Sequence, residues 1–189
     1  MQDKILVWDL PLRIFHWLLV IAFTVAYASE DKWLTVHVWA GYLIMALLVF
    51  RFIWGFTGGH YARFKQFLCK PAKSIRYLKE VNALTAKRYI GHNPAGALMI
   101  VLMLTSLLLT CLSGLAVYAA DQSAGPFAEF IGANYEKIWE EIHEFFVNFT
   151  LFLVIIHLVA ILFDSYVFNE NITKSMWNGY KNKTDNDIS

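Results

Sequence analysis

The chain has 189 residues, of which 58% are hydrophobic and only 16% charged, with a formal net charge of +1 and a mean hydropathy of +0.46. A soluble domain of this size carries about 25% charged residues, so the composition argues against a water-soluble globule. The near-zero net charge leaves no basic field for nucleic acid.

The charge deficit falls in long charge-free runs, the signature of bilayer-spanning helices. The first predicted span reads from Leu10 to Ala28. Arg13 interrupts it near its start, where a long side chain snorkels to the interface. Glu30, Asp31 and Lys32 make a very short first loop. The second span runs from Trp33 to Gly55 and is uncharged until Arg51. The second loop, Phe56 to Arg88, holds Arg63, Lys65, Lys70, Lys73, Arg76, Lys79, Lys87 and Arg88 against one acid, Glu80. Within it, Pro71 to Leu84 reads either as an amphipathic surface helix, with Ile75, Leu78 and Val81 on one face, or as an ordinary basic loop.

The third span lies within Tyr89 to Ala120, a stretch without Asp, Glu, Lys or Arg, and Pro94 suits its first turn. The third loop and the mouth of the fourth span hold Asp121, Glu129, Glu136, Glu140, Glu141 and Glu144 against Lys137. The fourth span runs from Ile142 to Val167, and the polar Tyr180 to Ser189 is expected to fray. The N-terminus lacks a cleaved-signal pattern, because its first apolar segment runs on into another. Cys69 and Cys111 form no CxxC or CxxCH. The predicted fold is therefore all-α: an integral membrane four-helix bundle, with one domain over 1–180 and a polar tail over 181–189. The positive-inside rule puts the second loop and both termini in the cytoplasm, and the first and third loops outside.

Polar ionisable groups within spans are costly and usually functional. Of six histidines, His16, His37, His143 and His157 fall in or at the ends of spans, while His60 and His92 are loop residues. His143 and His157 are 14 residues apart, which puts them roughly 40° apart on one helix face and roughly 21 Å apart in depth. One metal ion cannot use both, because its ligand bonds are only about 2 Å long. Each needs a partner from another helix at its own depth. Chain direction pairs His16 with His157 near the inner surface and His37 with His143 near the outer one. Two bis-imidazole sites stacked across the membrane suit two b-type haems, flat cofactors with two trans axial ligands.

The surroundings fit this reading. Gly41 lies one turn below His37, where a missing side chain leaves room for a macrocycle. Gly114, beside Ser113, and Gly96 lie toward the two ends of the third span. Arg51 follows His37 by 14 residues, so it faces the bundle near the inner haem, where a propionate would neutralise it; Arg13, one turn before His16, is placed to do the same. Blander readings stay open: Arg51 as an interfacial anchor, the glycines as helix-packing contacts and most tryptophans as an aromatic belt.

At VWDLPLRIFHW (Val7 to Trp17), HVWAGYLIMALLVFRFIWGF (His37 to Phe56), GHYARF (Gly59 to Phe64), GHNPAGALM (Gly91 to Met99), the fourth-span histidine pair and YVFNENITKSMWNGY near the end, the chain resembles the prokaryotic cytochrome b561 family. That family includes the b-type cytochrome subunits of nickel-iron hydrogenases. The resemblance implies a di-haem electron-transfer core in a bacterial inner membrane, with axial ligands at His16, His37, His143 and His157. Family members exchange electrons between the quinone pool and a periplasmic dehydrogenase, a hydrogenase or a c-type cytochrome. The compact build is more similar to stand-alone members that work with small c-type cytochromes.

Three functions follow as expectations. The first is a relay between quinone and a periplasmic redox partner, docked on the acidic Glu129–Glu144 segment or elsewhere. The second is a self-contained enzyme oxidising quinol or superoxide, which needs a positively lined pocket near His37 and His143. The third is a non-redox metal transporter using the histidines directly.

Overall fold

The structure, a computed structural model, describes residues 4–30, 32–83 and 85–183. Asp31, Leu84 and the tail beyond residue 183, all included in the sequence reading, lie outside them. In chain order the elements are β1 (Lys4–Leu6), α1 (Leu10–Ser29), α2 (Leu34–Thr57), α3 (Phe64–Phe67), α4 (Pro71–Asn82), α5 (Pro94–Gln122), α6 (Glu136–Val167), α7 (Ile172–Asn178) and β2 (Tyr180–Asn182), with single 3-10 turns at His60–Ala62 and Ala133–Tyr135. α1, α2, α5 and α6 are long and apolar enough to cross a membrane. Even the shortest, at 20 residues, reaches about 30 Å at 1.5 Å per residue, the thickness of the hydrocarbon core. Their outward side chains are apolar: Phe52, Val159 and Leu162 are 64%, 61% and 71% exposed. Apolar surface of that extent needs lipid or a partner to cover it.

The chain forms two compact units: one of residues 4–18, 49–101 and 156–183, the other of Leu19–Leu48 and Leu102–Ile155. Asp9 organises the first. It caps α1 by accepting from the Leu12 amide at 2.9 Å, and it also accepts from Trp54 Nε1 at 3.2 Å and the Gly59 amide at 3.1 Å. A Cβ on residue 59 would sit 2.6 Å from the Asp9 carboxylate, so only glycine allows this approach. α5 starts at Pro94, later than the apolar run, because Asn93 caps it through the Gly96 amide and proline suits the first helical position.

α4 is a helix, the first of the two readings open for this part of the basic loop. It meets the protein through Ser74, whose hydroxyl donates to the Pro94 carbonyl at 2.7 Å, and through Tyr77, which donates to the Lys87 carbonyl. Ile75 and Leu78 are left exposed, as an interfacial helix requires. Residues 180–182 do not fray: β2 pairs antiparallel with β1, Leu6 opposite Tyr180. Gly179, at φ 89°, makes the turn into this strand, and its carbonyl accepts from the Val7 and Trp8 amides.

The second unit is built around Ala22, Ile44, Leu48 and Leu107, with Leu19, Phe23, Ala26, Leu104 and Cys111 packed on them. Ser106 and Thr150 share a buried hydroxyl contact of 2.6 Å, the small-residue, polar contact by which membrane helices approach closely. α6 begins at Glu136, six residues before the expected Ile142. Its acidic first turns lie at the positive end of the helix dipole, which favours helix where the charge pattern alone reads as loop.

Replacing Asp9 by Ala removes the cap and the ties to Trp54 and Gly59 together. The expected loss is about 2–3 kcal/mol, read as a lower unfolding midpoint in a detergent thermal melt. Asp9→Asn, which keeps the cap, should lose less; an unchanged midpoint for Asp9→Ala contradicts the hub.

Candidate cofactor sites

The four span histidines divide between the two units, His37 and His143 in one, His16 and His157 in the other. In the second unit α2 and α6 bring the His37 and His143 rings to 6.1 Å between centroids, with their planes at 86°. Two metal–nitrogen bonds of about 2 Å each, lengthened by the distance from each nitrogen to its ring centre, come to about 6 Å. Both rings are oriented by backbone. His37 Nδ1 donates to the Ala26 carbonyl at 2.9 Å, and His143 Nδ1 donates to the Thr110 carbonyl at 3.0 Å, with the Ser113 hydroxyl 3.2 Å from the same nitrogen. A carbonyl only accepts, so each Nδ1 carries its proton and each Nε2 keeps a free lone pair. This is how second-sphere contacts prepare a ligating imidazole.

These rings border a mainly apolar cavity that is partly open to the outside. Gly41 lines it, and a Cβ there would meet nothing within 4 Å. Gly114 acts differently: a Cβ would fall 2.9 Å from His143 Cε1, so glycine lets the ring occupy its place. Tyr27, Tyr42, Tyr118, Thr110 and Glu30 add polar groups to its wall.

The first unit is less complete. His16 and His157 are within electrostatic reach of one another but make no direct ring contact among the described residues. His16 Nδ1 is buried without a partner, and so is Arg51 Nη1. Arg51 is only 3% exposed; its guanidinium lies 4.6 Å over the Phe64 ring, and Asp9 is its electrostatic neighbour. Arg13 donates from Nη1 to the Trp177 carbonyl, while its Nε is unpartnered.

His92, a loop residue by its sequence position, sits between Trp8 and Phe67, 4.6 Å from each ring. Burial foremost, then the charges of Arg51, Lys181 and His157, push its pKa down to about 3, so it is neutral. His92 also borders a second cavity, with His60, Gln66 and Lys73. The signal for His92 was its place beside the Asn93–Pro94 helix start. Ala26 and Thr110 gave no signal, because they act through their backbones.

An α-helical membrane bundle that aims paired, tautomer-fixed imidazoles into an apolar cavity is of the cofactor-carrying cytochrome class. The chain belongs to the prokaryotic cytochrome b561 family, whose model matches residues 7–179. It is similar to the probable Ni/Fe-hydrogenase B-type cytochrome subunits of Azotobacter vinelandii (23% identical over 95% of this chain and 89% of the relative), Rhizobium leguminosarum bv. viciae (26%, 94% and 89%) and Cupriavidus necator (22%, 93% and 86%). No solved structure matches it. Membership makes the chain a multi-pass membrane protein of electron transfer and implies haem b.

Gly114→Val is expected to displace the His143 ring and lower haem absorbance per chain, whereas Gly132→Val, at a residue with open space around it, should not. Equal haem content in both variants contradicts the packing role of Gly114.

Proposed function

We propose that the chain relays electrons between the membrane quinone pool and a periplasmic redox protein through two bis-histidine b haems. The observation that carries this is the His37–His143 pair, with both Nδ1 atoms engaged and both Nε2 atoms left to ligate. His16 and His157 hold the other haem. Haem b, when bound, supplies a one-electron couple. The protein's part is to fix the axial imidazoles, hold their tautomers, exclude water and neutralise the acidic side arms.

Gly41 leaves room for one macrocycle, and Arg51 and Arg13 face the acidic groups of the other. The basic second loop and both termini lie in the cytoplasm of a bacterial inner membrane, which puts His37 and His143 on the periplasmic side. Relatives named as Ni/Fe-hydrogenase subunits favour a dehydrogenase-type partner, with a c-type cytochrome as the other candidate. A self-contained oxidase of superoxide gains no support from the His37–His143 cavity: its lining carries Glu30 and no Lys or Arg, which repels an anionic substrate.

The test is haem stoichiometry and quinol reduction of the purified protein in lipid nanodiscs. Wild type is expected to hold two b haems per chain, both reducible by quinol. His143→Ala should keep about one of the two. Loss of both, or of neither, contradicts independent sites at two depths.

A further inference from the structure

We infer that Arg51 and His92 together form a carboxylate-binding pair for an acidic side arm of the haem held by His16 and His157. This rests on the two-haem reading above and adds to it a cofactor contact from outside the four spans.

Buried polar groups almost always have a hydrogen-bond partner. Among the described residues five buried side-chain nitrogens of one compact unit lack one, and Arg51 Nη1 and His92 Nδ1 are two of them. They are not independent. Arg51 lies over the Phe64 ring, Phe64 packs on Phe67 and Phe67 packs on His92, and His92 is within electrostatic reach of Arg51 and of the span histidine His157. The missing partner must accept hydrogen bonds, and the buried guanidinium requires that it be anionic.

The protein's own acids nearby are committed elsewhere. Asp9 already accepts from Leu12, Trp54 and Gly59. Asp164 accepts from the Asn93 amide. Glu170 is paired with Arg88 at 2.9 Å and lies 3.9 Å from Lys181. A carboxylate brought in by the cofactor is the acceptor that remains, and a planar guanidinium suits it well.

The His92 ring is held ready for this contact. Trp8 and Phe67 pack on it, and Trp8 is itself fixed by donating from Nε1 to the Ser175 hydroxyl at 3.2 Å. Ser175 lies on α7 and Trp8 follows β1, so the paired chain ends are part of the support. Such packing is what holds a binding side chain in a productive geometry. Neutral His92 donates its Nδ1 proton, while Arg51 supplies the charge.

The experiment uses the intact haem-loaded protein, grown with the haem carboxyl carbons labelled with ¹³C. Reduced-minus-oxidised infrared difference spectra then read those carboxylates directly. His92→Phe keeps a ring between Trp8 and Phe67 but removes the donor. It is expected to shift the labelled carboxylate bands and to move the reduction equilibrium of one haem toward the oxidised form by about three- to tenfold, where tenfold is 59 mV for a one-electron couple. His92→Asn, which restores a donor near the Nδ1 position, should recover most of both signals. Arg51→Gln should perturb the bands of the same haem.

Bands and potential unchanged in His92→Phe, with both haems present, overturn the proposal. So does loss of the haem in both His92→Phe and His92→Asn, which would make the role one of packing alone. The two-haem reading fails on a different result: His157→Ala retaining its full haem complement.

Discussion

Two hydrogen bonds to backbone, from His37 Nδ1 to the Ala26 carbonyl and from His143 Nδ1 to the Thr110 carbonyl, set the chemistry of the second unit. An imidazole inside an apolar helix bundle is costly unless its polar atoms are satisfied. Each of these rings satisfies one nitrogen against a neighbouring helix and keeps the other for a ligand. The carbonyls can serve because Thr110 lies one turn before Gly114 on α5, where a Cβ would push His143 out of place. Small buried residues, Ser106 with Thr150 among them, let the helices approach closely enough for the contact.

The first unit solves the same problem from the other direction. It carries buried nitrogens with no partner, on Arg13, His16, Trp17, Arg51 and His92, inside a framework tied together by Asp9 and the β1–β2 pair. Asp9 accounts for the entry of α1 and for the position of Gly59, and the paired termini close around Trp8. Unpartnered groups within such a framework mark where a ligand with complementary charge belongs. On the proposed two-haem reading the two units would prepare haem binding by different means, one through fixed tautomers and open space, the other through donors awaiting an acceptor.

Much of the architecture was legible in the residue pattern. Charge-free runs placed the first two spans to within two residues at either end, because the cost of charge in lipid leaves a plain mark in sequence. The start of α6 was not legible, since Glu136, Glu140 and Glu141 resemble a loop until the helix dipole is considered. Three-residue strands at opposite chain ends have no local signal, so the β1–β2 pair was missed. For the site, depth arithmetic anticipated the proximity of His37 and His143, and the size of glycine anticipated the space at Gly41. What lay beyond reach were contacts through backbone atoms, at Ala26 and Thr110, and the burial of His92, which its polar sequence neighbours conceal.

The central proposal is that His37 and His143, whose ring planes stand at 86° to one another, would together hold one haem iron. Perpendicular axial imidazoles leave the lower-lying iron d orbitals nearly degenerate, and ferric low-spin haem then gives a highly anisotropic electron paramagnetic resonance signal with a large maximal g value. Low-temperature spectra of oxidised protein test this most directly. Wild type is expected to show this large-g component, lost in both His37→Ala and His143→Ala while the signal of the haem held by His16 and His157 remains. A wild type without that component, or its survival in either substitution, would contradict the claim.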